Sequence, residues 1–244
     1  MRSPCRALLV LLACTLAAAG ARAQVPDTFT NLQVLPADIS RDSLTALMRS
    51  FTFATGMRCD GCHVRQGNAF RYELDDKAPK LVARAMLRMV ASINHGLAAE
   101  LPAGERARVQ VECKTCHRGL ARPHLLRTEL REVIDAAGAD SAIAHYRQLR
   151  TSRMSLGAYD FGEWEMNELA RQLALDGKVR EAVAMLVLNE EFHATSFSIP
   201  LEIGRLQERL GDTAAAIAAY RRVLERAPGN PAARARLTAL GGIP

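Results

Sequence analysis

The sequence predicts an all-α chain, on three observations. Ala, Leu and Arg are plentiful, whereas aromatic residues make up only 5% of the chain, a balance that favours helices over strands. Apolar residues recur at three- and four-residue intervals, as in Leu44, Leu47, Met48 and Phe51. The C-terminal half repeats itself with a period of 34 residues, which suits a pair of helices.

In chain order, the first segment is set apart from the fold. Arg2 and Arg6 precede a nearly unbroken apolar run from Ala7 to Gly20, and Ala21-Arg22-Ala23 fits a small-residue cleavage pattern. Residues 1–23 are therefore expected to be a signal peptide, leaving Gln24 as the first mature residue. An uncleaved anchor is one alternative. A second is lipidation, because Leu11-Leu12-Ala13-Cys14 resembles a lipoprotein signal that would acylate Cys14. No later apolar stretch reaches the length needed to span a bilayer. Three of the 32 basic residues lie in the signal segment, leaving 29 against 26 acidic ones. This balance argues against a nucleic-acid partner.

Cysteine usage carries the chemistry. Cys5 and Cys14 fall in the signal segment, and the other four form Cys59-Asp60-Gly61-Cys62-His63 and Cys113-Lys114-Thr115-Cys116-His117. Thiols three residues apart face the same way on a helical turn. Each can add to one vinyl group of a haem while the adjacent His reaches the iron. A zinc site built from both pairs would have to close a gap of 50 residues, and neither zinc nor a dithiol centre asks for His after each second Cys. The expected cofactors are two covalently bound haems c, attached through Cys59, Cys62, Cys113 and Cys116, with His63 and His117 on the proximal side.

The helices supply candidates for the distal ligands. Ser40 is placed to cap a helix that carries Met48 and that Gly56 ends. Pro79 opens a second helix that runs to Gly96, and a loop with Pro102 and Gly104 leads to a short helix before Cys113. Met48 is the candidate for the first iron and Met89 for the second, with Met86 or His95 as alternatives to Met89. Met on an apolar face also packs as ordinary core, so spacing alone leaves that reading open. His124, His145 and His193 are read as surface or packing residues.

These residues resemble the cytochrome c subunit of photosynthetic reaction centres. The matching stretches are Asn31-Leu32-Gln33-Val34-Leu35-Pro36, the Met48 helix with its Cys59–His63 motif, Met89-x-x-x-Ile93-Asn94, and Cys113-Lys114-Thr115-Cys116-His117-Arg118-Gly119. The resemblance covers about residues 28–125. It implies units of helix, turn and attachment motif in which the helix supplies Met, pairing Met48 with His63 and Met89 with His117. That subunit has four haems and this chain has two motifs, so it looks like half of such a protein joined to another region.

The remainder changes character. Glu168-Leu169-Ala170-Arg171 aligns with Glu202-Ile203-Gly204-Arg205, Gly177 with Gly211, and Ala182 with Ala216. This resembles the tetratricopeptide repeat. Leu210-Gly211-Asp212 marks a turn, Pro228-Gly229-Asn230-Pro231 starts a closing helix, and Gly138 to Tyr146 looks like a partial repeat. The expected organisation is a signal peptide over 1–23, a dihaem cytochrome c domain over 24–127 and a repeat-like helical domain over 128–244. The expected function is outer-sphere electron transfer by a periplasmic dihaem cytochrome with no catalytic residues. The repeat region would either dock redox protein partners or be a helical bundle that merely packs on the haem domain, and membrane association would require a lipidated Cys14. Two readings stay open beside it: a dihaem peroxidase-like enzyme with one open iron site, and a repeat scaffold whose haems serve structure or sensing.

Overall fold

The computed structural model describes residues 26, 28–105 and 109–242. The signal segment and Cys14 lie outside the described residues. Among those described, helices dominate and the only sheet is a two-stranded hairpin, so the chain is all-α as expected. No described helix is long and apolar enough to cross a membrane. The chain divides into two compact units between Cys116 and His117. The boundary expected after residue 127, from a junction near Arg118–Arg127 with Gly119 and Pro123, lies close to that division. Leu120 packs against the core of the second unit and His124 bonds to Glu129, so residues 117–127 belong with the helices on their C-terminal side.

In the first unit, α1 spans Arg41–Thr55. Its N-cap is Ser40, whose hydroxyl accepts from the Ser43 N–H at 3.1 Å. Gly56 ends it at φ 69°, a left-handed conformation that costs a residue with a Cβ about 1 kcal/mol. The short α2, Cys59–Cys62, comes after Met57 and Arg58. Next is a hairpin the sequence reading did not foresee, β1 (Val64–Gln66) paired antiparallel with β2 (Ala69–Arg71). Three-residue strands are too brief for a period of two to show in sequence. α3 spans Ala78–Glu100 with Pro79 in its first turn, and it continues past Gly96, where it was expected to stop. A lone glycine inside a helix costs only about 1 kcal/mol, which the flanking Ala and Leu residues offset. Residues 109–112 have no regular secondary structure, so the short helix expected before Cys113 is absent there and α4 is the motif itself, Cys113–His117.

The second unit is a stack of helices. α5 spans Leu126–Arg153 but breaks at Gly138, which has φ 83° and ψ 174°. Glu129 and His145 sit in its two halves, yet their side chains bond at 2.7 Å. A straight helix would hold residues sixteen apart at about 24 Å. The two halves therefore fold back on each other, with Leu126, Leu130 and Ile134 buried beside Ala142 and Tyr146. α6 (Glu163–Leu175) and α7 (Val179–Phe192) form the next hairpin, and α8 (Ser198–Arg209) and α9 (Thr213–Arg226) the one after. Gly177 and Gly211 end their first helices in the same left-handed conformation, so the 34-residue period seen in sequence is a period of geometry. α10, Pro231–Ala239, closes the stack, capped by Asn230.

Close helix approach depends on Gly204. A Cβ at that position would lie 2.6 Å from Cε1 of Tyr220, a fully buried ring on the neighbouring α9. Tyr220 cannot simply swing away, because its hydroxyl donates to Glu208 at 2.5 Å. The Gly204→Ala variant is predicted to lose about 1–3 kcal/mol in the second unit by overpacking. Urea unfolding monitored by helical circular dichroism measures this, and an unchanged midpoint would show that the ring relocates freely.

Candidate functional site

The two attachment motifs are held differently. In the first, Gly56, Met57 and Arg58 are the whole connection between α1 and α2, so the left-handed cap of α1 aims the chain directly at Cys59. The His63 N–H donates to the Cys59 carbonyl at 2.9 Å, closing the motif into one turn. Met48 on α1, Cys59, Cys62 and His63 line one cavity of about 360 Å³. That volume falls in the range of sites for small organic cofactors. Phe51 and Leu44 of α1 and Leu87 of α3 add apolar wall, and residues 28–35 cover another side.

An ionic layer secures that cover. Asp75 accepts from Arg84 at 2.8 Å, from Lys80 at 3.0 Å and from Asn31 at 3.0 Å. Lys80 also donates to the carbonyls of Tyr72 and Leu74, and Arg84 to the carbonyl of Asn31 at 3.3 Å. Lys80 and Arg84 are buried cations, and the shared carboxylate makes that burial tolerable. The Arg84 and Lys80 bonds hold the Asp75 carboxyl well below the usual carboxylate range. Sequence reasoning passed over these residues. The available signal was two cations at positions i and i+4 continuing the stripe that ends in Leu87, which is how buried charge looks on a helix.

The setting of His63 favours its neutral form. Burial pushes its pKa down, and Lys80 and Lys77 add to the effect. A neutral imidazole is the form that ligates a metal. Tyr72 packs edge-on against the ring, with centroids 5.0 Å apart. The His63 Nδ1 is buried without a hydrogen-bond partner. Buried polar atoms left in this state mark places where another group completes the site. Burial also pushes the Cys62 and Cys113 thiols up. Among the described residues no group of three or more His, Cys, Asp or Glu side chains is placed to hold a bare metal ion. The first unit is also short of core. Among its described residues the buried apolar side chains are Leu44, 7% exposed, and Ala54, 2% exposed. A thioether-linked porphyrin with His and Met ligands fits this donor set and this apolar deficit.

The second motif is α4. The His117 Nδ1–H donates to the Leu120 carbonyl at 2.8 Å, which places the proton on Nδ1 and leaves Nε2 free to act as a ligand. Met89 lies on α3, 44% exposed. Lys80, Arg84 and Leu87 of that helix line the first cavity. At about 100° per residue, Met89 is half a turn away from that face. Val82 and Ile93 share its side and are likewise exposed, while Met86 is half-buried and His95 exposed. The structure thus gathers Met48, Cys59, Cys62 and His63 at one site and directs Met89 away from it.

Comparison with known proteins decides the family. The model of the family described as photosynthetic reaction centre cytochrome C subunit matches residues 9–180. The chain belongs to this family. Membership in the reaction-centre cytochrome family implies covalently bound haem c, and the match runs past the second motif into the helical stack, further than the residue-by-residue resemblance reached. The photosynthetic reaction center cytochrome c subunit of Roseobacter denitrificans is 36% identical over 95 residues, 38% of this chain and 24% of that protein. Cytochrome c-554 of Chloroflexus aurantiacus is 34% identical over 94 residues, 38% of this chain and 21% of that protein. The chain therefore spans under a quarter of the length of the curated relatives it matches.

The ionic layer makes stability depend on pH through Asp75. Its folded pKa is depressed, so its contribution is present above the unfolded carboxylate value and is lost as pH falls through the folded one. The Asp75→Asn variant is predicted to be less stable than the parent near neutrality, with the two curves converging as pH drops below about 4. Thermal midpoints across pH measure it, and a constant gap down to the lowest pH would show that the carboxylate charge is not what matters.

Proposed function

We propose that this protein is an exported dihaem c-type cytochrome that carries electrons by outer-sphere transfer and catalyses no bond-making reaction. The observation that carries this reading is the first cavity. Met48, Cys59, Cys62 and His63, from two helices and the turn after them, all face one space in a unit that buries little apolar surface of its own. Haem iron, when bound, supplies a reversible one-electron change of valence.

The residues present suit such a carrier. His63 offers a neutral imidazole and Met48 a thioether, and a thioether ligand raises the reduction potential. Residues 28–35, tied down through Asn31 and Asp75, line one side of the site. His117 is oriented by its bond to Leu120, as ligating histidines usually are by a group behind them. Met89 serves the second site in this reading, because its face of α3 is turned from the first cavity. Met86 and His95 are its competitors.

The proposed location is the periplasm, reached through residues 1–23, or a membrane surface if Cys14 is lipidated. The helical stack, with its 34-residue period, is proposed to be repeat-like and to dock a redox protein. The name of one relative, the photosynthetic reaction center cytochrome c subunit of Roseobacter denitrificans, ties that protein to photosynthesis. The proposal here is limited to electron-carrying proteins in general.

Protein made in a host with haem-attachment machinery should show a denatured mass increased by two haems and an alkaline pyridine spectrum typical of thioether attachment. Modification at one motif or none would overturn the dihaem reading. The Met48→Ala and Met89→Ala variants should each lose the Met–iron charge-transfer band of one haem and lower its potential, leaving the other unchanged. Retention of both bands in Met89→Ala, with loss in Met86→Ala, would move the second ligand to Met86. A resting high-spin spectrum that responds to cyanide would instead favour the peroxidase-like alternative.

A further inference from the structure

The two motifs face unequal positioning problems. Three residues join α1 to the first motif, whereas residues 101–112 separate α3 from the second. A longer connection leaves more arrangements to exclude, at a cost that grows with the logarithm of its length. A short linker with a glycine cap can aim Cys59, but it cannot serve as the device for Cys113.

Asn94 supplies a different device. It sits inside α3, where Asn is a weak helix former. Its Nδ2 donates to the Val111 carbonyl at 2.9 Å, and the Val111 N–H donates back to its Oδ1 at 2.8 Å. One side-chain amide thus satisfies both backbone groups of a single residue, as a neighbouring strand would. Val111 is half-buried and lies two residues before Cys113. Asn94 lies five residues after Met89, about 7.5 Å further along the same helix. The bonds therefore fix the height along α3 at which the second motif begins.

We infer that Asn94 is a positioning residue for the second haem: its two-point bond to Val111 sets where Cys113 starts relative to the α3 ligand. This rests on the proposed function for the cofactor, but the bond itself involves protein atoms alone. Either half of the bond can be removed separately. Asn94→Asp keeps an acceptor for the Val111 N–H and loses the donor to its carbonyl. Asn94→Ala loses both.

Three measurements on the full-length protein test it. Hydrogen exchange reads the bond directly. The Val111 amide should exchange about tenfold faster in Asn94→Ala, with Asn94→Asp between that variant and the parent and the amides of α1 unchanged. Optical and magnetic spectra read ligation, and the Met–iron band of one haem should weaken in the order parent, Asp, Ala. Redox titration reads the outcome, with the potential of the second haem falling and that of the first staying at the parent value. Unchanged Val111 exchange in Asn94→Ala overturns the bond. Faster exchange with both haems spectroscopically and electrochemically identical to the parent overturns the positioning role. If Asn94→Ala does not accumulate, Asn94→Asp alone carries the same three comparisons. Parent protein lacking covalent haem would refute the proposed function instead, a result visible before any variant is made.

Discussion

A shortage of apolar burial shapes everything about the first unit. Leu44 and Ala54 are its buried apolar side chains among the residues described, against a long series in the second unit. Hydrophobic burial at about 25 cal/mol per Å² is the main term opposing the entropy of an ordered chain. A unit of this size with so little of it needs another source of apolar contact. The cavity beside His63 lies where such a source would act. The ionic layer around Asp75 is intelligible on the same grounds: it closes the wall of residues 28–35 with polar bonds where a protein-only core would have used packing.

Helix α3 organises the unit because its two faces do different work. Lys80, Arg84 and Leu87 belong to the first cavity, and Met89 with Val82 and Ile93 looks the other way. One helix thus carries a cavity-lining face and an outward face, and Asn94 ties it to Val111, just before the second motif. The second unit is held together by other means. Its hairpins pack through buried Leu, Met and Tyr side chains, and polar bonds such as Glu129 with His145 join segments distant in sequence.

Much of this was legible beforehand. Ser40 and Gly56 announced the ends of α1 because capping depends on residue type at one position. The two Cys-x-x-Cys-His motifs are read from spacing alone and need no tertiary context, and Gly177 and Gly211 marked matching turns 34 residues apart because left-handed helix ends select glycine. The hairpin after His63 was too short to leave a pattern. Asp75, Lys80 and Arg84 were passed over because charged residues read as solvent-facing; the spacing of Lys80 and Arg84 was a signal, but only the fold shows the three of them meeting. Asn94 stood out as part of a resemblance, but its partner Val111 lies 17 residues away and no local rule joins them. Gly138 was seen as the start of a partial repeat. That it folds one long helix back on itself appears only from the Glu129–His145 bond across the break.

The contact between Gly204 and Tyr220 also reaches beyond a single molecule. A space filled to within 2.6 Å of an imagined methyl makes the two positions one unit of inheritance. A lineage that acquires a side chain at the first must shrink the ring at the second, or lose it, before the change can persist. Across descendants of this chain the two sites should therefore trade volume rather than drift independently, a correlated record of how closely α8 and α9 are packed.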